Sequence, residues 1–324
     1  MNKARIGIVG GAGYTAGELL RLLVNHPQAE VAWVHSHSMA GRPVIEIHQD
    51  LLGDTELSFT DTLHWSAVDV LFLCMGHGAS AAFFAEHAVP AHLKVVDLSQ
   101  DYRIADPSHS FVYGLPELQK ERIQSADRVA NPGCFATCIQ LGLLPLAKAG
   151  LLRDEVHIHG ITGSTGAGQR PTETGHFSWR NNNVSVYKAF RHQHLREITQ
   201  SVVSVQPNFK RALNFIPIRG NFTRGIFTTL YTSLDTPLDL VREHYERFYQ
   251  EAPFVNVTDT NPHLKQVVNT NKGIVYLEQQ DDKLLIVSMI DNLLKGASGQ
   301  AVQNLNLMMG WEETAGLQLK AGYF

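Results

Sequence analysis

The sequence predicts an α/β protein of two domains: a Rossmann-like, doubly wound parallel sheet, and an α+β domain built on a mixed or antiparallel sheet. The first third of the chain alternates short β-branched runs with helical patterns, which is typical of a parallel sheet covered on both faces. From about residue 151 the apolar runs alternate with polar residues and lie further apart. The 324 residues are too many for one core and sufficient for two.

Five apolar runs in the first part of the chain have the length and continuity of buried strands. They are Arg5–Val9, Val31–Val34, Val68–Leu73, Lys94–Leu98 and Arg128–Ala130. In the second part, alternating runs and one amphipathic helix indicate an α+β arrangement. The strands there are Val156–Ile161, Gly225–Leu234 and Lys283–Ile290, and the helix is Pro237–Ala252. The final helical stretch, Asn292–Met309, is expected to return to the first domain. That domain would comprise residues 1–133 and 292–324, with the second over 134–291.

Composition and charge exclude several classes of protein. The chain is 44% hydrophobic and 18% charged, as in an ordinary globular protein, and its net charge of −4 without a basic block gives no sign of a nucleic-acid partner. No apolar run reaches the roughly 18 residues that span a membrane. The N-terminus passes directly into a strand-like segment, leaving no room for a secretory signal. Three cysteines argue for a reducing compartment, so we expect a cytoplasmic protein.

A glycine-rich turn lies between the first strand and the first helix. Its residues are Gly10, Gly11, Ala12, Gly13, Tyr14 and Thr15. Glycines let a backbone turn tightly and approach a pyrophosphate, while a helix N-terminus supplies N–H donors and a partial positive charge. The strand–turn–helix context therefore predicts a dinucleotide site.

The end of the second strand bears on the choice of dinucleotide. A carboxylate about 20 residues after the glycines would bind the ribose hydroxyls of NAD. The sequence has Ser36, Ser38 and Arg42 there instead. Hydroxyls and a guanidinium suit a 2′-phosphate, so the sequence favours NADP.

Cys134 stands where a long apolar helix, predicted to run to about Ala149, begins. At a first helical turn, the helix dipole and free N–H groups favour the nucleophilic thiolate and can stabilise an oxyanion. A purely structural cysteine is the alternative on local evidence. Cys138 and Cys74 are predicted to be core residues. No second cysteine pair or histidine pattern completes a metal site, so none is predicted.

Acyl chemistry at a thiol requires a proton carrier. With sixteen histidines in the chain, any single one is a weak candidate. The segment from Arg191 to Ile198 combines His192 and His194 with Glu197, a carboxylate that could orient an imidazole. Its arginines could bind an anion; the alternative is a solvated, mixed-charge helix start. Two loops that follow strands also suit anions: Thr162–Arg170 and Asp97–Arg103.

These motifs together resemble, in order and over nearly the whole chain, the N-acetyl-gamma-glutamyl-phosphate reductase family, relatives of aspartate-semialdehyde dehydrogenase. The segments that carry the resemblance are Gly10–Glu18, Asp97–Arg103, Asn131–Thr137, Thr162–Gly168, His192–Ile198 and Asp291–Asn304.

The resemblance implies a reaction and a set of roles. NADPH would reduce N-acetyl-gamma-glutamyl phosphate to the 5-semialdehyde through a thioacyl intermediate on Cys134, in arginine biosynthesis. His192 would be the general acid or base, with His194 left open, and Glu197 would orient it. The implied substrate ligands are Arg103, Ser164 and Arg191, and further cofactor contacts are Gly163, Ser164 and Asn292. The implied assembly is a homodimer or homotetramer.

Departures from the family pattern leave alternatives open. Gln193 and Arg196 replace the family's Arg and Pro, and Ile218 replaces a His. Because an extra arginine could pair with a carboxylate, an N-succinyl substrate is one alternative. Aspartate-semialdehyde dehydrogenase activity is another. An NADP-sensing regulator without catalysis is the alternative outside enzymes.

Overall fold

The computed structural model describes residues 3–322. Within them the chain forms two compact units. One contains the residues up to Pro132 together with Ala297–Gln318, and the other contains Gly133–Gly296 and the residues from Leu319 on. The chain therefore enters the second unit directly before Cys134.

The first unit contains a seven-stranded sheet. Its strands are β1 (Ala4–Val9), β2 (Ala29–His35), β3 (Phe59–Thr60), β4 (Val70–Leu73), β5 (Lys94–Asp97), β6 (Val112–Tyr113) and β7 (Arg128–Ala130). Their order is β3-β2-β1-β4-β5-β7-β6, and every neighbouring pair is parallel. The doubly wound parallel sheet is confirmed. β3 and β6 were not predicted, because two residues are too few to show a period.

The second unit contains a mixed seven-stranded sheet. Its strands are β8 (Val156–Thr162), β9 (Ser185–Val186), β10 (Leu213–Arg219), β11 (Ile226–Ser233), β12 (Val255–Thr258), β13 (Gly273–Gln280) and β14 (Lys283–Ile290). Their order is β12-β13-β14-β11-β8-β10-β9. β12–β13 and β8–β10 pair in parallel, and the other neighbours are antiparallel. The predicted mixed-sheet domain is confirmed.

Eight α-helices accompany these sheets in the described residues. They are α1 (Tyr14–Leu23), α2 (Ala79–Glu86), α3 (Pro116–Gln124), α4 (Cys134–Lys148), α5 (Phe177–Arg180), α6 (His194–Val205), α7 (Leu238–Tyr249) and α8 (Gly299–Met308). Helices α4, α6 and α7 contribute to the main apolar core of the second unit. α4 is apolar almost all round and buried from Phe135 to Ala147, as expected of a helix at the centre of a core. No helix in residues 3–322 has the length and apolar character to cross a membrane.

Strand β10 was not predicted, because Pro217 lies within it and proline removes a ladder hydrogen bond. The structure shows how the proline is accommodated. The carbonyl of Pro217 accepts a hydrogen bond from the N–H of Tyr187, on the side of β10 that faces the two-residue β9. N and O of one strand residue point the same way, so the missing N–H costs no bond with β8.

The stretch Asn292–Met309, predicted to be helical, contains two kinds of helix. A π-helical turn over Leu294–Ser298 precedes α8, and the N–H of Gly296 bonds to the carbonyl of Asp291, five residues earlier, at 2.9 Å. Such turns are rare and are found mostly at functional sites.

Candidate active site

The glycine-rich turn of the first unit is built for a close backbone approach. Gly10 has a φ of +80°, and a Cβ there would lie 2.8 Å from the carbonyl oxygen of Cys74. A Cβ on Gly11 would overlap the side chain of Val34. Gly13 caps α1, whose first N–H groups have no acceptor within the helix. These residues fit the phosphates of a dinucleotide.

The residues expected at a 2′-phosphate follow β2. Ser36 is buried, and its N–H bonds to the carbonyl of Thr60 at 2.9 Å. Ser38 and Arg42 are exposed. The Nε of Arg42 donates to Oε2 of Glu46 at 2.8 Å, one turn along the chain. An exposed pair of this kind is worth well under about 1 kcal/mol, so an incoming phosphate can displace the carboxylate.

Arg103 is buried in the first unit, where it holds backbone carbonyls. Its Nε donates to the carbonyl of Asn131 at 2.8 Å, and its Nη2 to that of Leu98 at 2.9 Å. These bonds tie the loop after β5 to the end of β7. A role for Arg103 toward a substrate anion stays a prediction.

Cys134 is the first residue of α4 and is half-buried between two glycines. Gly133 caps the helix, and a Cβ on Gly296 would lie 2.9 Å from the Cβ of Cys134. A helix N-terminus stabilises negative charge, which favours the thiolate. Burial raises the pKa of both Cys74 and Cys138 to about 12, so these two thiols stay protonated.

Glu197 pairs with His194 and Gly133. Its Oε2 accepts the N–H of Gly133 at 2.9 Å, and its Oε1 lies 4.0 Å from Nε2 of His194. Glu197 thus contacts Gly133 and His194, and its role in orienting His192 stays a prediction. Residues 194 and 197 lie three apart on one face of α6, whereas His192 precedes that helix.

His192 lies in an aromatic enclosure. Its ring centroid is 5.7 Å from that of Phe135, 5.8 Å from Tyr187 and 5.4 Å from Phe215. Burial, with the charge of Lys188 adding to it, lowers the pKa of His192 to about 4, so the imidazole is neutral at pH 7. Its Nδ1 accepts the N–H of residue 194 at 3.2 Å. The proton of the neutral ring is therefore on Nε2, which can donate to an oxygen.

Tyr187 and Arg219 complete this cluster, and the sequence did not single them out. The guanidinium carbon of Arg219 lies 4.9 Å from the centroid of the Tyr187 ring. Burial raises the pKa of Tyr187 to about 12, the charge of Cys134 adds to that, and the charge of Arg219 opposes it. Tyr187 follows an irregular segment without periodicity, which left no signal. Arg219 does have a signal in the sequence, because it directly follows Ile218, which departs from the family pattern.

The loop after β8 is bonded to the loop between β10 and β11. Its N–H groups at Gly163, Ser164 and Thr165 all bond to carbonyls of residues 222–225. Asn292 is also engaged: its Oδ1 accepts the N–H of Gly225 at 2.7 Å, and its Nδ2 donates to Oγ1 of Thr165 at 3.0 Å. The neighbouring loop therefore uses these three N–H groups, and anion binding by the loop Thr162–Arg170 stays a prediction. Ser164 Oγ has no hydrogen-bond partner among the described residues.

Arg191 is exposed, and its side chain makes no hydrogen bond or ion pair with any described residue. Residues 3–322 also contain no group of three or more His, Cys, Asp or Glu side chains arranged to hold a metal ion.

Two family models match this chain, one in each of its two compact units. Residues 5–126 match the model of the semialdehyde dehydrogenase NAD binding domain, and residues 134–292 that of the semialdehyde dehydrogenase dimerisation domain. Aspartate semialdehyde dehydrogenase II from Vibrio cholerae, in complex with ASA, superposes with a TM-score of 0.74 at 16% identity, covering 96% of this chain and 99% of that one. A probable aspartate-semialdehyde dehydrogenase from Pseudomonas aeruginosa gives 0.72 at 18% identity, covering 95% and 99%. These structures show the fold.

The chain has a parallel sheet of the dinucleotide-binding type, followed by a mixed-sheet unit in which the first helix begins with a cysteine. This combination defines the semialdehyde dehydrogenase class of protein. Within that class, the N-acetyl-gamma-glutamyl-phosphate reductase of Parabacteroides distasonis is 57% identical over 322 residues, covering 99% of both chains. The protein of the same name from Bacteroides fragilis is 56% identical over 320 residues, again covering 99% of both. The chain belongs to the N-acetyl-gamma-glutamyl-phosphate reductase family.

Proposed function

We propose that this chain uses NADPH to reduce N-acetyl-gamma-glutamyl phosphate to N-acetylglutamate 5-semialdehyde and phosphate, a step of arginine biosynthesis. The observation that carries the proposal is the half-buried Cys134 at the N-terminus of α4, in a cluster with His192 and Tyr187. The near-full-length identity to reductases of that name supports the choice of substrate.

Cys134 acts as the nucleophile. Its thiolate attacks the γ-acyl carbon, the bond from that carbon to the phosphate oxygen breaks, and phosphate leaves with its electron pair. A thioester remains on Sγ. The N-terminus of α4 favours the attacking thiolate, and it stabilises the same thiolate when it departs from the reduced carbon.

His192 acts on the acyl oxygen. In each addition step this oxygen gains negative charge, and a neutral imidazole with its proton on Nε2 can donate a hydrogen bond to it. Glu197 and His194 hold Gly133 and thereby the start of α4. His194 is the alternative for the proton-handling role. Arg103, Ser164 and Arg191 are proposed to bind substrate anions.

NADPH, when bound, supplies the hydride that reduces the thioester to the aldehyde. We propose that the first unit holds it, through the turn from Gly10 to Thr15 at the phosphates and through Ser36, Ser38 and Arg42 at the 2′-phosphate. Gly163, Ser164 and Asn292 of the second unit are proposed as further contacts.

The second unit is proposed to carry the subunit contacts, since it matches a dimerisation domain. We propose a homodimer or homotetramer in the cytoplasm, and light scattering of the purified protein gives the subunit number.

The decisive experiment is the reverse reaction. N-acetylglutamate semialdehyde, phosphate and NADP⁺ should yield NADPH, with the rate dependent on phosphate. Aspartate semialdehyde in its place tests the shorter-substrate alternative and should react poorly. Binding of NADP⁺ with no turnover of either aldehyde would contradict the proposal and favour a regulator.

A further inference from the structure

Arg219 lies at the carboxyl end of β10, on the side of the sheet that faces α4. Strand side chains alternate between faces, so Phe215 and Arg219 share one face. Phe215 contacts the ring of Phe135 on α4, with centroids 5.0 Å apart. In the pairing of β10 with β8, Arg219 stands opposite Thr162, the last residue of β8. Its guanidinium is therefore directed to the side of the sheet on which Cys134 begins α4.

Among the residues that the structure describes, no carboxylate pairs with this guanidinium. The group lies over the ring of Tyr187 and also interacts with its hydroxyl, while its Nε is buried without a hydrogen-bond partner in residues 3–322. Arg219 has no carboxylate partner among the described residues, and the nearby charge of Arg180 is also positive. A buried donor without an acceptor costs free energy that a bound anion would recover.

Arg180, which lies nearby, has a structural role. It is 6% exposed, and its guanidinium donates to the carbonyls of Thr174, Asn183 and Arg219 and to the hydroxyl of Ser185. These bonds fix the segment that carries β9 to the end of β10. Arg219, in contrast, contributes its own carbonyl to this network, while its Nε has no acceptor in the part of the chain that the structure describes.

We propose that Arg219, supported by the ring of Tyr187, binds a carboxylate of the acylated glutamyl phosphate. The inference rests on the proposed function. The planar guanidinium fork matches a carboxylate, and an aromatic face beneath it limits its orientations. Two sources of this chemistry exist: the α-carboxylate, present in every substrate form, and the terminal carboxylate of an N-succinyl group.

The test compares kcat and KM for the N-acetyl and N-succinyl semialdehydes in the reverse reaction. Arg219→Gln should raise the KM of the aldehyde about 10- to 100-fold while leaving kcat and the KM of NADP⁺ near wild type. Arg219→Lys should recover part of the loss. An effect on the N-succinyl form alone identifies the acyl carboxylate, and an equal effect on both identifies the α-carboxylate. Arg211→Gln, an exposed position just before β10, is the matched control.

Three results would overturn the inference, and they differ in meaning. If the wild type forms NADPH with neither aldehyde, the proposed function itself fails. If the wild type is active and Arg219→Gln keeps both aldehyde KM values, Arg219 does not bind substrate. If the variant has a lower kcat and a lower melting temperature with an unchanged KM, the role of Arg219 is structural.

If Arg219→Gln does not fold, Arg219→Lys is used for the test, because it keeps the charge but loses the planar guanidinium fork. The expected result is then a several-fold rise in aldehyde KM, and an unchanged KM overturns the inference.

Discussion

The backbone N–H of Gly133 donates a hydrogen bond to Oε2 of Glu197 at 2.9 Å. Glu197 is 3% exposed, and its other oxygen approaches His194, whose ring packs against Gly133. One carboxylate on α6 therefore holds the residue that precedes Cys134, the proposed nucleophile. Glu197 is a positioning residue: it acts on the start of α4 through Gly133.

Replacing Glu197 tests this arrangement through stability. Glu197→Ala leaves the buried N–H of Gly133 without its acceptor, so the free energy of unfolding should fall by about 1–3 kcal/mol in urea titrations. Glu197→Gln keeps an acceptor oxygen and should lose less. Glu251→Ala, at an exposed position, should change the value by no more than about 0.5 kcal/mol. Equal losses in the Ala and Gln variants would argue against the Gly133 bond as the cause.

The three thiols should differ sharply in reactivity. Burial raises the pKa of Cys74 and Cys138 to about 12, whereas Cys134 is half-buried at a helix start. Iodoacetamide should therefore add one group to the folded chain, at Cys134, as seen by peptide mass mapping. Cys134→Ser should take up no label and lose turnover while keeping NADPH affinity near wild type. Full activity of that variant would remove Cys134 from the mechanism.

His192 should make the fold sensitive to acid. Its pKa is lowered to about 4, below the 6.5 of a free imidazole, because burial disfavours its charged form. Between these values the unfolded chain binds a proton that the folded chain does not. The free energy of unfolding therefore decreases as the pH is lowered through this window, by up to about 1.4 kcal/mol per pH unit. His192→Asn should lose less stability between pH 7 and 5 than the wild type in urea unfolding. Equal losses in the variant and the wild type would show that folding does not lower the pKa of His192.

Activity distinguishes His192 from His194. His192→Asn should slow single turnover, because it removes the Nε2 donor that we propose acts on the acyl oxygen, with a loss on the order of 100-fold. His194→Asn should act more weakly, through the packing against Gly133. The reverse ranking in stopped-flow traces would assign the proton-handling role to His194.

The sequence was informative where function coincides with regular structure. Cys134 opens an apolar helix and Gly10 ends an apolar strand, so periodicity and glycine placement locate both. Tyr187 gave no such signal, because it lies in a segment without periodicity. Arg219 was marked only by its neighbour Ile218, because its position depends on the pairing of β10 with β8. The proline in β10 further concealed that strand. The bond between Gly133 and Glu197 was not predicted, because it depends on where α6 begins, and helix boundaries are the least certain part of a sequence-based prediction.

Arg42 should determine the preference for NADP. A 2′-phosphate that replaces Glu46 as its partner gains charge-assisted hydrogen bonds, each worth about 1.5–3 kcal/mol. Arg42→Ala should therefore raise the KM of NADPH about tenfold or more and leave that of NADH unchanged. Arg122→Ala, an exposed arginine on α3, is the control. A similar rise for both cofactors would point to a general loss of fold at this loop.

Gly296 should be indispensable for the geometry of the nucleophile. A methyl group at this position would lie 2.9 Å from the Cβ of Cys134, closer than carbon atoms approach each other, and Cys134 itself is fixed at the start of a buried helix. The collision can be relieved only by moving the π-helical turn or the thiol, and displacements of about 1 Å at a reacting atom cost on the order of 100-fold in rate. Gly296→Ala should therefore reduce kcat by about that factor and slow alkylation of Cys134, while NADPH affinity remains near wild type. Gly322→Ala, where a methyl group would meet no atom within 4 Å, supplies the matched control. Unchanged kcat in Gly296→Ala would mean that the turn yields at little cost and does not hold Cys134 in place.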